Sequence, residues 1–312
     1  MTTQVLYLAG LGRSGSTLLT RLLGQIEGVC SVGEIHHLWK TGAPRAAADE
    51  LCGCGETYAD CGFWLDRLAA AAQGGGVDLE RMRSLQEEVS RIRRIPRLES
   101  GGDAAFEAAV EEYAGFWSRL YAELREATGA RVILDASKDL GPLFFLDRVE
   151  GIEVRVLHLV RDPRGVAFSW SQRKLRPEFV DREVYMNRHG VLDVALRWWY
   201  SNLLADRASR RFPHTMRLRY EDFVAEPKAA LETICAFADL DGADLSFLDG
   251  RSARISRGDH SLSGNPMRFD SGALTIRADM RWHQEMSAAG RWATAALTWP
   301  LRRRYAYSWS AR

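Results

Sequence analysis

Lysine is nearly missing from this 312-residue chain: Lys40, Lys138, Lys174 and Lys228 stand alone beside an abundance of arginine. The bias is mainly one of base composition, and it makes a lysine inside a motif informative. Excess charge is missing too. With a net charge of +1 there is no field of one sign to draw nucleic acid or a membrane surface. Arg302-Arg303-Arg304 is too short to serve as a nucleic-acid tail. Long apolar runs are also lacking. The first ends at Ala9 and has no basic segment before it, which excludes a signal peptide and a membrane span and leaves a cytoplasmic protein as the expectation. No internal repeat or long low-complexity tract occurs. What remains is ordinary for a soluble globular protein, 46% hydrophobic and 27% charged.

One further absence is local. The stretch Val5-Leu-Tyr-Leu-Ala-Gly-Leu-Gly-Arg-Ser-Gly-Ser-Thr-Leu-Leu19 has the form of a phosphate-binding loop, an apolar strand running through a Gly/Ser-rich turn into a helix near Ser16. The frame from Gly10 to Gly15 has the Walker spacing, but Ser16 stands where the Walker lysine belongs. Arg13 sits inside the loop instead. Gly10, Gly12 and Gly15 let main-chain N–H groups approach a ligand. The helix start adds free N–H groups and the positive end of the dipole. Ser14, Ser16 and Thr17 supply hydroxyls, and Arg13 a planar fork suited to phosphate or sulfate oxygens. The motif therefore binds an anion. Without its lysine, nucleoside triphosphate hydrolysis is disfavoured.

Strands are expected near 4–9, 29–33, 131–135, 154–160 and 214–219. Helical patterns lie between most of them, at 16–25, 140–148, 163–174 and 191–211. Short, almost continuously apolar strands alternating with helices predict an α/β fold with a buried parallel sheet. In such sheets ligands bind beyond the carboxyl ends of the strands. Residues 40–128 interrupt the alternation as an insertion within a single domain spanning 1–312. The insertion holds helical stretches near 78–94 and 104–128. The second carries Phe106, Val110, Tyr113, Phe116, Trp117, Leu120 and Leu124 at helical spacing, the pattern of core packing. Placed between the second and third strands, the insertion would overhang the ligand edge and shape an acceptor pocket. Residues 280–312 are rich in Trp and Arg and partly helical, with no chemical signature.

The segments after the strands hold the candidate chemistry. Ser31-Val-Gly-Glu-Ile-His-His37 follows strand two. Glu34 there is placed to remove a proton from an acceptor hydroxyl. His36 and His37 compete for that role, and an ion pair ordering the Arg13 loop is the structural alternative. Asp135-Ala-Ser-Lys-Asp139 follows strand three. Lys138 can stabilise charge that develops as a bond breaks, and a lysine at a helix start opposes the dipole unless it has such work. Ser137 is either a donor or an N-cap. Leu159-Val-Arg-Asp-Pro-Arg-Gly-Val-Ala-Phe-Ser-Trp170 follows strand four, where Arg161 and Ser169 can jointly hold a second phosphate and Asp162 reads as a helix cap. Arg219-Tyr-Glu-Asp-Phe223 reads as a structural corner or as part of a nucleotide site. Gly264-Asn-Pro266 forms a turn before Arg268.

Three of the five cysteines, Cys52, Cys54 and Cys61, cluster within ten residues. They can bind zinc only with a fourth ligand, such as His36 or His37. A Cys54–Cys61 disulfide is a second reading, disfavoured in a reducing cytosol. A tight turn with free thiols is the third.

Taken together, Gly12-Arg-Ser-Gly-Ser-Thr-Leu18, Val160-Arg-Asp-Pro-Arg-Gly165 with Ser169, and the Gly33-Glu34 pair resemble the PAPS-dependent sulfotransferases, especially the carbohydrate and tyrosylprotein branch and its bacterial relatives. Leu218-Arg-Tyr-Glu-Asp-Phe223 and Ser263-Gly-Asn-Pro-Met-Arg268 resemble further stretches of bacterial members. The resemblance implies a P-loop-like three-layer fold around a mainly five-stranded parallel sheet. It implies 3′-phosphoadenosine-5′-phosphosulfate (PAPS) as donor, a hydroxyl-bearing acceptor and no metal. It gives Arg13, Ser14, Gly15, Ser16 and Thr17 the phosphosulfate, and Arg161 and Ser169, with Arg268 as an addition, the 3′-phosphate. Glu34 takes the place of the acidic base, and Lys138 that of the basic residue near the sulfuryl group. The cytosolic aryl branch differs, with a lysine in the first loop and a histidine base. Two rivals stand beside this reading. A P-loop kinase would need the missing lysine and a Mg²⁺-binding acid, for which Asp162 is the one candidate. A non-catalytic nucleotide-binding module would keep the donor site alone.

Overall fold

The computed structural model describes residues 2–39, 50–74, 76–177, 179, 183–256 and 259–308. Its frame is a five-stranded parallel sheet of β1 (Thr3–Ala9), β2 (Val29–Gly33), β3 (Val132–Lys138), β4 (Ile152–Val160) and β5 (Thr215–Arg219). Their spatial order is β2-β3-β1-β4-β5, with β1 central. Parallel strands need covering on both faces, and the sequence supplies both. In β1, Val5, Tyr7 and Ala9 enter one apolar core while Leu6 and Leu8 enter the other, the period-two alternation of a strand buried on each side.

Helix α1 (Ser16–Leu23) covers the second of these faces, with Leu18, Leu19, Leu22 and Leu23 buried. The long helix Ala104–Thr128 covers the first, burying Phe106, Val110, Tyr113, Phe116, Trp117, Leu120 and Leu124. It starts on the Asp103 side chain, which accepts from the Phe106 N–H, and stops at Gly129 in the left-handed region. This part of the insertion is thus a wall of the core.

The expected elements are all present. β2 and the helices Val191–Arg211 and Ala104–Thr128 have the boundaries read from the sequence. Three differ. The stretch expected as one helix near 78–94 divides into a helix Leu79–Val89 and a short 3-10 turn Ile92–Arg94, because Ser90 leaves helical geometry where its carbonyl packs against Gly141. The helix expected over 163–174 ends at Ser171, and the chain then pairs Leu175–Arg176 with Val184–Tyr185. β3 extends to Lys138 through a register shift opposite Tyr7 and Ala9, with Lys138 at φ 67°. A bulge of this kind re-aims a side chain, and here the side chain is that of the rare lysine. Among the described residues, no helix is long and apolar enough to cross a membrane.

Candidate active site

The loop between β1 and α1 is shaped by contacts that only glycine satisfies. At Gly10 (φ 142°) a Cβ would fall 2.4 Å from the Leu159 carbonyl oxygen, and at Gly15 (φ 92°) 2.4 Å from the Tyr220 ring. Gly15 is the N-cap of α1 and no side chain caps the helix, so its first-turn N–H groups remain open to a ligand. Arg13 takes the left-handed conformation at φ 75°. Its guanidinium lies 5.0 Å from the Trp170 ring centre and donates to the Met186 sulfur at 2.8 Å. Burial pulls its pKa down, and its Nε is buried without a protein partner. A desolvated cation with a spare donor is suited to an anion.

Arg13, Gly15, Ser16 and Thr17 line one cleft of about 860 Å³, together with Glu34, Lys138, Arg161, Ser169 and the pairing segments near 176 and 184–187. The structure therefore brings most of the candidate residues together at the carboxyl ends of β1–β4. Ser14 and Arg268 do not line this cleft, although Arg268 lines a small cavity shared with Ser16, Thr17, Glu34 and Lys138. Ser14 is buried and does not line the cleft. The Arg268 guanidinium donates to the carbonyls of Ser261 and Leu51, each at 2.7 Å, and to the Tyr58 hydroxyl at 3.3 Å. Among the described residues of the insertion, none lines the cleft, and the overhang expected there is not formed by them. Residues 40–49 lie outside the described residues.

Glu34 and Lys138 meet at the edge of this cleft. Lys138 Nζ lies 2.5 Å from Glu34 Oε1 and also donates to the Ala136 carbonyl at 3.0 Å. His37 Nε2 approaches Glu34 Oε2 at 3.5 Å. Burial alone would push the Glu34 carboxyl upward, but Lys138 and His37 outweigh it and hold the pKa far below the usual carboxylate range. Glu34 is thus an ionised carboxylate held by Lys138 and His37. Its N–H donates to the Leu262 carbonyl at 2.7 Å, which fixes it to the segment 260–265. His36 has a different neighbour, Asp139, at 3.5 Å. Ser137 accepts from the His36 N–H at 3.1 Å and bonds Asp135, so it serves the turn rather than a helix cap.

Arg161 ties the loop from behind. It donates to the Arg13 carbonyl at 3.1 Å and the Asp279 carbonyl at 2.8 Å, and its guanidinium stacks 4.5 Å from the Tyr220 ring centre. Asp162 is the cap expected of it. It accepts from the Arg164 N–H at 2.9 Å and pairs with the Arg164 guanidinium at 2.6 Å, buried and outside the cleft. The corner at 219–223 divides its labour. Glu221 accepts from the Asp162 N–H and the Tyr307 hydroxyl, while Tyr220 faces the cleft.

Lys174 is a further cleft residue. Burial, reinforced by Arg13, Arg281 and Arg161, lowers its pKa to about 8. Its scarcity was the available signal, but no motif surrounds it. The cysteine turn corrects another expectation. His36 and His37 stay with Asp139 and Glu34, and the imidazole that reaches Cys52 and Cys61 is His260.

Residues 6–244 match the model of a family described as the sulfotransferase family. Two solved structures share the fold over almost their whole length. One is a sulfotransferase domain from the Synechococcus PCC 7002 olefin synthase, at 20% identity and TM-score 0.55, covering 98% of this chain and 96% of that one. The other is a sulfotransferase domain from the curacin biosynthetic pathway, at 16% identity and TM-score 0.55, covering 99% of each chain. No curated protein matches the chain in sequence.

Proposed function

We propose that this chain, which belongs to the sulfotransferase family, moves a sulfuryl group from PAPS to a hydroxyl of a small-molecule or carbohydrate acceptor. The observation that carries the reading is that the Glu34–Lys138 pair and the uncapped start of α1 open into one cleft. Arg13, the loop N–H groups, Ser16 and Thr17 hold the phosphosulfate, with Ser14 acting through the backbone. Arg161 and Ser169 hold the 3′-phosphate. Lys174, at the same wall, adds positive charge to the donor site.

Glu34 takes the proton of the acceptor hydroxyl as its oxygen attacks sulfur in line with the leaving phosphate. A carboxylate clamped by an ammonium is a weak base. Donor binding offers Lys138 a better partner, the sulfuryl and bridging oxygens, and its departure restores basicity to Glu34. Lys138 and Arg13 then stabilise charge on the group in transit and on the leaving oxygen. The products are the sulfated acceptor and adenosine 3′,5′-bisphosphate. No step asks for a metal.

The kinase rival is weakened by Ser16 in the lysine position and by Asp162, whose carboxylate is committed to Arg164. The deciding experiment screens acceptors with PAPS by mass spectrometry, using the wild type, Glu34→Ala and Lys138→Ala. Gain of one sulfo group by the wild type only, with bisphosphate binding kept in both variants, supports the reading. Full turnover by both variants refutes the catalytic roles. Bisphosphate binding with no acceptor sulfated by any form points to the non-catalytic module.

A further inference from the structure

Cys52, Cys54, Cys61 and His260 bring one ligand atom each to a common point, all four within 4.8 Å of one another. The individual separations are 3.7 Å for Cys52–Cys61, 3.8 Å for Cys54–Cys61, 3.4 Å for Cys61 Sγ to His260 Nδ1 and 3.9 Å for Cys52 Sγ to His260 Nδ1. Tetrahedral zinc, with Zn–S of about 2.3 Å and Zn–N of about 2.0 Å, requires ligand-to-ligand edges of about 3.8 Å between sulfurs and about 3.5 Å from sulfur to nitrogen. Four of the six edges lie close to those lengths, and the other two are within 4.8 Å. All five cysteines are free thiols, so no disulfide competes.

The surroundings are those of a built site. Cys52 and Cys54 sit on a tight turn closed by Cys52 N–H to Glu56 carbonyl and Gly55 N–H to Cys52 carbonyl bonds, with Gly55 at φ 97°. Phe63 stacks flat on the His260 ring, with centres 4.2 Å apart. The Trp64 indole donates to the His260 carbonyl at 2.8 Å. Outer contacts of this kind orient a ligand.

We infer that these four residues form a structural Cys₃His zinc site. Binding releases the three thiol protons to solvent, His260 coordinates through neutral Nδ1, and no redox change occurs. The closed ligand set leaves no position for a substrate. The site's place in the fold gives it a purpose. It fastens the 52–61 turn to the segment starting at His260, whose Leu262 pairs with Gly33 and accepts from the Glu34 N–H. Just beyond it, Ser263, Gly264 and Asn265 line the catalytic cleft. The clip thereby positions the wall beside Glu34 without touching the reacting groups.

The test measures metal on the full chain, purified under reducing conditions without chelator and passed over a desalting column. Elemental analysis is expected to give one zinc per chain. Replacement by Co²⁺ is expected to give a thiolate-to-cobalt charge-transfer band and the strong ligand-field absorption of a tetrahedral site. Cys61→Ser and His260→Gln should each reduce zinc at least tenfold, whereas Cys30→Ser and Cys235→Ser should keep it. The wild-type cobalt spectrum decides the matter if a variant fails to fold. Less than a tenth of an equivalent of zinc after reconstitution overturns the inference. So does a Cys54–Cys61 disulfide in the mass of the alkylated protein, or full zinc in both ligand variants. None of these outcomes depends on whether sulfuryl transfer is observed.

Discussion

The two regions that converge on Glu34 are built in opposite ways. The proposed donor cradle comes from contiguous runs at the ends of adjacent strands, Gly10–Thr17, Gly33–Glu34, Lys138 and Arg161, brought together by the parallel sheet itself. The inferred cysteine clip comes from one turn and a histidine 199 residues from Cys61. The cradle is polar, open and left with unfilled donors, while the clip is closed on itself. The charges of the first region open into a cleft that a ligand can enter, whereas the ligand atoms of the second face one another.

The sharpest break of that contrast is in catalysis. Glu34→Gln is expected to lower kcat by about 10²–10⁴, the usual worth of a general base, with adenosine 3′,5′-bisphosphate affinity unchanged within a few-fold. Steady-state kinetics and calorimetry on one preparation check both. Lys138→Met is expected to cost about 10²–10³ in kcat, as for loss of one preorganised donor, with KM for PAPS changing less. In the clip, Cys61→Ser should do the reverse, reducing the melting temperature clearly while kcat falls less than in either cradle variant. Equal kcat losses in the two regions would erase the distinction.

Gly15→Ala tests the loop geometry. The added Cβ meets the Tyr220 ring in a backbone conformation costing about 1–3 kcal/mol for a non-glycine residue. Donor affinity should fall, and thermal unfolding should occur at lower temperature. The smallest effect is in pH. Lys174 titrates at about 8 because it is buried beside Arg13 and Arg161. A bound phosphate favours its charged form. Bisphosphate affinity should therefore be steady below pH 8 and weaken above it, by no more than one proton's worth, and Lys174→Met should flatten that profile.

Much of the cradle was legible because each of its parts is local. The apolar runs fixed the five strands, and the residue after each strand was then a candidate by position. Arg13, Glu34, Lys138 and Arg161 were found in this way and share the cleft. What stayed hidden depends on distant packing. Arg268 follows a legible turn, yet its guanidinium is drawn to the Leu51 and Ser261 carbonyls by the fold of the cysteine turn. Lys174 enters the cleft only because the helix before it stops at Ser171 and the chain folds back. His260 has no ligand spacing to announce it. The C-terminal stretch carried no chemical signal and proves to be packing, with Trp282 lying against the Arg164 guanidinium at 4.4 Å.

The lysine-free loop at Gly10–Thr17 is proposed to serve a nucleotide phosphorylated at both ends. Isothermal titration of the full chain with adenosine 3′,5′-bisphosphate, and separately with Mg·ATP, tests it without knowledge of the acceptor. Saturable binding of the bisphosphate that is lost in Arg161→Ala is expected, with Mg·ATP binding far more weakly. Strong Mg·ATP binding with no bisphosphate binding would contradict it.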